Sequence, residues 1–160
     1  MRWVWIDRFT EFVPRTSATA IKNVSLAEEH LHDLYPDYPI VPHSLIIEGM
    51  AQTAGILVGE AANFSEKVIL AKIGRATFHR LVRPGDTLTL RATIEHFSEA
   101  GAGCRGEVRV GEELVAQIDL MFSHADRNIA GLKLPDHNFV FTEQFVQLLN
   151  TYRDQGEIPL

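Results

Sequence analysis

The stretch LYPDYPIVPHSLIIEGMAQTAGILVG, residues 34–59, decides how this chain is read. Pro36 and Pro39 keep its first third extended, because each ring fixes φ and disfavours helix in the residue before it. Pro42 then stands immediately before a run with no polar face: Leu45, Ile46, Ile47, Met50, Ala51, Ala54, Ile56, Leu57 and Val58. A missing N–H costs little at a helix entry, and a helix that is apolar all round is a buried one. The pattern predicts a buried helix over 43–62. Gly49, Gly55 and Gly59 weaken it intrinsically, so close approach of another backbone is expected along it.

Working outward, residues 3–24, WVWIDRFTEFVPRTSATAIKNV, read as two strands around a Pro-Arg-Thr-Ser turn. SLAEEHLHDL, residues 25–34, reads as a short helical turn, with Ser25 as cap and Glu28 at the capping-box spacing. After the long helix, strands take over. Leu88, Leu90, Ala92 and Ile94 recur at period two, as do Leu114, Ala116, Ile118, Leu120 and Phe122. Gly111 and the RPGD run at 83–86 mark turns. In the tail, Phe141, Phe145, Leu148, Leu149 and Tyr152 follow helical spacing, with Thr142 as cap and Gly156 as stop. The expectation is an α+β domain over residues 1–125, a long apolar helix wrapped by antiparallel sheet. Residues 126–160 are expected to add one helix packed on the same domain.

The totals narrow the function. With 160 residues, 46% of them hydrophobic and 22% charged, the chain has the composition of one globular domain. A net charge of −6 without a Lys/Arg cluster argues against nucleic acid as partner. Asp7 and Arg8 interrupt the start where a signal peptide would stay apolar. The 45–59 run is too short for a comfortable membrane span and carries Glu48 and Gln52. The single cysteine, Cys104, forms no internal disulfide and fits a reducing cytoplasm. It reads either as a reactive thiol or as an inert packed one. His79, His96, His124 and His137 show no metal-ligand spacing. Neither a phosphate cradle nor a G-x-S-x-G elbow is present, and no metal or cofactor is expected.

Glu48 does not suit its surroundings. An ionised carboxylate inside a buried helix costs several kcal/mol unless paired. Either it fixes geometry by bonding a neighbour, or it has chemistry to do. The frame around it resembles that of the FabZ-type 3-hydroxyacyl-ACP dehydratases and their FabA relatives, which have the hotdog fold. Their signature, H-F-P-x-x-P-x-x-P-G-x-L-x-x-E-A-M-A-Q, runs without a gap against LYPDYPIVPHSLIIEGMAQ from Leu34 to Gln52. VWIDRFTEF, IKNVS, KIGRATFHRLVRPGDTLTL and LVAQIDLMF are similar to further strands of the family, so the likeness spans roughly residues 3–124. It implies a homodimer, with a trimer of dimers as a further option, and acyl chains held at the seam on acyl carrier protein or coenzyme A. It also implies a helix-start N–H holding the thioester oxygen and Glu48 handling the leaving hydroxyl. Leu34, Pro42, Ser44 and Gln52 fall on the frame as substrate-binding positions.

The pattern breaks at the base. Leu34 stands where the family has its proton-abstracting histidine, and leucine accepts no proton. Asp33 and His43 replace two family glycines. One reading relocates the base to His43 at the helix mouth, with His32 and His30 as further candidates. Five residues of helix turn through about 500°, so His43 and Glu48 do not share a stripe. The other reading keeps the fold and loses dehydration, leaving thioester hydrolysis by Glu48, acyl binding alone, or a non-catalytic partner role beside an active relative.

Overall fold

In the computed structural model, which describes residues 3–125, 128–129, 132–133, 140–141 and 143–154, the apolar run folds as one helix. Strand β1 (Arg8–Val13) and strand β2 (Ser17–Asn23) come first, followed by the single turn α1 (His30–Asp33) and the long helix α2 (His43–Ala61). Four long strands follow: β3 (Lys67–Phe78), β4 (Thr87–Ser98), β5 (Gly101–Val110) and β6 (Glu113–Ala125). Asn128–Ile129 and Leu132–Lys133 pair as the short strands β7 and β8, and α3 (Glu143–Asp154) closes the order. The six main strands make one antiparallel sheet in the order β1-β2-β4-β5-β6-β3.

The sheet wraps α2 because its apolar residues alternate. Leu88, Leu90 and Ala92 of β4 and Ala116, Ile118 and Leu120 of β6 all point inward and are buried. On α2, Ile46, Met50, Ala54, Leu57 and Val58 are fully buried against them. Each leucine, isoleucine, valine or methionine side chain among them contributes about 1.5–3 kcal/mol through burial. Met50 seats on β5 at Gly106, where a Cβ would overlap its thioether. Cutting Met50 to alanine would remove that plug, at a cost of about 2–5 kcal/mol.

Several sequence expectations change in detail. The helix glycines are approached by side chains: Leu90 and Trp5 at Gly49, Phe122 at Gly55 and the Phe141 ring at Gly59. The expected backbone contact is therefore replaced by rings and branches fitted into missing Cβ positions. Residues 3–6 form no strand, although the Asp7 N–H donates to Ile21 O at 2.8 Å just ahead of β1. The capping box is realised at Ser25, whose N–H donates to Glu28 Oε1 at 3.0 Å, but α1 itself begins only at His30. Phe141 precedes α3, while Leu149 is fully buried and Phe145, Leu148 and Tyr152 pack on the core. Thr142, Gly156 and His137 lie outside the described residues.

Helix α2 ends through two residues in the left-handed region, Asn63 (φ 51°) and Phe64 (φ 53°). The Phe64 N–H reaches back to Gly59 O at 2.7 Å. That reversal sets the Phe64 ring 5.1 Å from Phe141. Among the described residues no helix is long and apolar enough to cross a membrane.

Candidate active site on the central helix

Pro42 caps α2, and its carbonyl accepts from Leu45 N at 2.9 Å and Ile46 N at 3.3 Å. The N–H groups of His43 and Ser44 precede any carbonyl of the helix that could take them, so they are the free donors expected at a helix start. Both residues are exposed. The His43 ring lies flat on Phe78 of β3, centroids 3.9 Å apart and planes within 2°. Its nitrogens take no hydrogen bond among the described residues.

The other two candidate histidines have partners nearby. His32 Nε2 lies 2.6 Å from Leu26 O. His30 packs edge-on against Trp5 with its Nε2 3.7 Å from Glu28 Oε2. Glu28 is itself engaged by Lys22 Nζ at 2.9 Å, and Lys22 lies over the Trp5 ring. Leu34 is 56% exposed, with Tyr35 and Tyr38 exposed beside it. The Tyr38 hydroxyl is bonded by Arg83, the first residue of the 83–86 turn.

Glu48 corrects the picture of an acid sunk in the core. Its side chain is only half-buried, because the helix face that carries it borders a cavity of about 200 Å³. Ala51, Gly55 and Ile56 continue the cavity wall along the helix, and Leu70 and Phe122 face them from the sheet. Gln52, one turn after Glu48, donates from Nε2 to Glu48 Oε1 at 2.7 Å and to Trp3 O at 3.2 Å. Its Oε1 accepts the Trp5 N–H at 2.8 Å. The amide therefore orients the carboxylate and pins residues 3–5 across the helix. Sequence reasoning marked Gln52 only as a binding position. The pinning role carries no local signal, since its partners lie some 50 positions earlier in the chain.

Cys104 is buried in β5, and burial pushes its thiol up to about 12, with Glu95 adding to the effect. That is the inert alternative, since the thiolate is the reactive form. Among the described residues no three His, Cys, Asp or Glu side chains gather as metal ligands.

A long helix in a six-stranded antiparallel wrap, with one carboxylate opening from the helix onto an apolar cavity, defines a hotdog protein. The FabA-like domain model matches residues 3–119. The chain is 38% identical over 122 residues to the 3-hydroxyacyl-[acyl-carrier-protein] dehydratase FabZ of Caldanaerobacter subterraneus, covering 76% of this chain and 86% of that protein. It is 33% identical over 123 residues to FabZ of Clostridioides difficile, covering 76% and 87%. The dehydratase heterocomplex ApeI:P from Xenorhabdus doucetiae shares the fold, with a TM-score of 0.62 at 15% identity over 78% of this chain and 84% of that one. The chain belongs to the FabA-like family and is a dehydratase-like member of it.

Proposed function

We propose that this protein dehydrates 3-hydroxyacyl thioesters carried on acyl carrier protein, acting in the cytoplasm as a homodimer. The observation that carries the reading is Glu48, held by Gln52 and open to an apolar cavity, fourteen residues after Leu34 in an ungapped family frame. In this reading the substrate lies with its thioester oxygen on the His43 and Ser44 N–H groups, where the helix start favours developing negative charge. A base takes the C2 proton, the C2–C3 double bond forms, and the C3 hydroxyl leaves with a proton from Glu48 as water. The products are a 2-enoyl thioester and water.

We assign the base to His43. Leu34 cannot serve, His32 is bonded to a main-chain carbonyl and His30 is set against Trp5 and Glu28. The stacking on Phe78 holds the His43 imidazole at the helix mouth while leaving it exposed. Dimerisation is supported by the outer edge of β3, which has no neighbouring strand among the described residues. It is supported too by the exposed Leu70, Ile73 and Met121 beside that edge. The seam would bring one protomer's helix mouth to its partner's cavity.

The test uses the purified protein with a 3-hydroxyacyl thioester and, separately, a saturated acyl thioester, following enoyl absorbance and free thiol in parallel. Enoyl formation without thiol release is the expected result. Thiol release would reassign Glu48 to activating water, and silence in both channels would leave acyl binding alone.

A further inference from the structure

Part of the lining of the cavity beside Glu48 comes from a stretch of chain that the family match, residues 3–119, does not reach. Glu48, Gln52 and Gly55 lie one behind another on α2, spanning about 10 Å of helix at the usual rise per residue. Past Gln52 the lining is apolar and includes Phe141 and Phe145, and the Phe141 ring lies over Gly59, one turn beyond Gly55 on α2. We propose that these two phenylalanines form the stop that sets the length of acyl chain this protein accepts. The proposal rests on the reading above that Glu48 marks the reacting end.

The wall is built into the fold. At Gly59 any Cβ would overlap the Phe141 ring, so the glycine is a socket that lets the ring lie against the helix backbone. Phe64, brought round by the left-handed turn after α2, packs edge-on to the same ring at 68°. Behind it, α3 is anchored by the fully buried Leu149 and by Arg153, whose Nη2 lies 2.7 Å from Glu60 Oε1. A ring clamped at several points does not swing aside to admit further methylenes. The space left, about 200 Å³, is below the roughly 300–1,000 Å³ of pockets for drug-sized ligands. A stop about 10 Å along the helix from Glu48 would favour short acyl chains.

The test is a chain-length series of saturated acyl pantetheine amides, from butyryl to palmitoyl, measured by titration calorimetry. These probes have no hydroxyl to eliminate and no thioester to hydrolyse, so binding is read whether or not the protein turns substrate over. The unaltered protein is expected to bind short chains and to lose affinity as the chain lengthens. Phe141→Ala and Phe145→Ala should each raise the ratio of decanoyl to butyryl affinity at least tenfold, with Phe141→Leu intermediate. Phe141→Leu keeps an apolar anchor and serves where Phe141→Ala does not fold. An unchanged ratio in folded variants, or tightest binding of palmitoyl by the unaltered protein, would overturn the assignment. Failure to form enoyl product would count against the dehydration reading and leave this one standing.

Discussion

Gln52 Nε2 donates to Glu48 Oε1 at 2.7 Å while Gln52 Oε1 accepts the Trp5 N–H at 2.8 Å. One amide, 8% exposed, thus ties the orientation of the carboxylate to the seating of the N-terminal segment. Gln52→Leu keeps the volume and removes every bond. It leaves the Trp5 N–H unsatisfied in the core, at a cost of about 1–3 kcal/mol, and frees the Glu48 side chain to rotate. Urea unfolding should show that loss, and turnover should fall along with it. A variant with native stability would show that water replaces the amide.

Glu48→Gln separates chemistry from folding. The substitution is isosteric, and the side chain is half-buried at a cavity rim, so stability should change by less than about 1 kcal/mol. Removing a positioned acid or base costs typically 10²–10⁴ in rate. Enoyl formation should drop by at least about a hundredfold, with the melting temperature held.

Gly49 adjoins the acid and takes the place of the alanine in the family's E-A-M-A-Q. A Cβ there would meet Leu90 Cδ2 and Trp5 Cδ1, both at 3.1 Å. Gly49→Ala gains about 1 kcal/mol of helix propensity but forces a tight contact on an indole whose backbone is pinned. Overpacking of this kind costs about 1–3 kcal/mol, so the net expectation is a loss. Trp5→Leu in the same chain relieves one of the two tight contacts and should make Gly49→Ala less costly, and denaturation of the four members of the cycle would measure that coupling.

The contrast between α2 and its surroundings shows what the sequence makes legible. The helix was readable because thirteen consecutive positions, 46–58, offer no charge except Glu48, and the inward-facing strands because period two survives any tertiary context. Neither signal reports holes. Glu48 reads as buried on a helical wheel, and only the cavity walled by Leu70, Phe122 and Phe145 exposes it. Trp3, Val4 and Trp5 have strand composition yet form none, because Gln52 takes the Trp5 N–H that a neighbouring strand would use. The reason for Gly59 sits 82 residues away at Phe141. These features depend on pairs distant in the chain, which one sequence does not display.

The 83–86 turn gives a prediction about acid. Burial pushes the Asp86 carboxyl up, but the Arg80 guanidinium and the Arg83 N–H outweigh it and hold it below its ordinary 3.8. Arg80 bonds both carboxylate oxygens, at 2.9 and 3.1 Å. A group depressed on folding stabilises fully above its unfolded value, and the contribution drains as pH falls through the lower native one. Arg80 is raised by the same bond to Asp86, so the guanidinium stays charged throughout the acid range and the bond is lost only as Asp86 itself takes up a proton. Asp86→Asn should therefore cost about 1–2 kcal/mol at neutral pH. Guanidinium unfolding of the two proteins should converge below pH 3.8 and stay apart above it.

The last prediction concerns the base. His43→Ala should lower enoyl formation by at least about a hundredfold, in line with loss of a general base. It should leave the fold intact, because the ring is exposed and stacks on Phe78 at the surface of the helix mouth. Leu34→His, added to that variant, restores an imidazole at the family position, and Leu34 at 56% exposure gives up little packing on substitution. The ungapped frame keeps the spacing from residue 34 to Glu48, so the double variant should recover at least about tenfold of the lost rate. Recovery would establish that the carboxylate and the helix-start N–H groups still form the old site, with only the base moved. Without recovery, Asp33 and the loss of glycine at position 43 would have rebuilt the helix mouth so that an imidazole from position 34 no longer reaches C2.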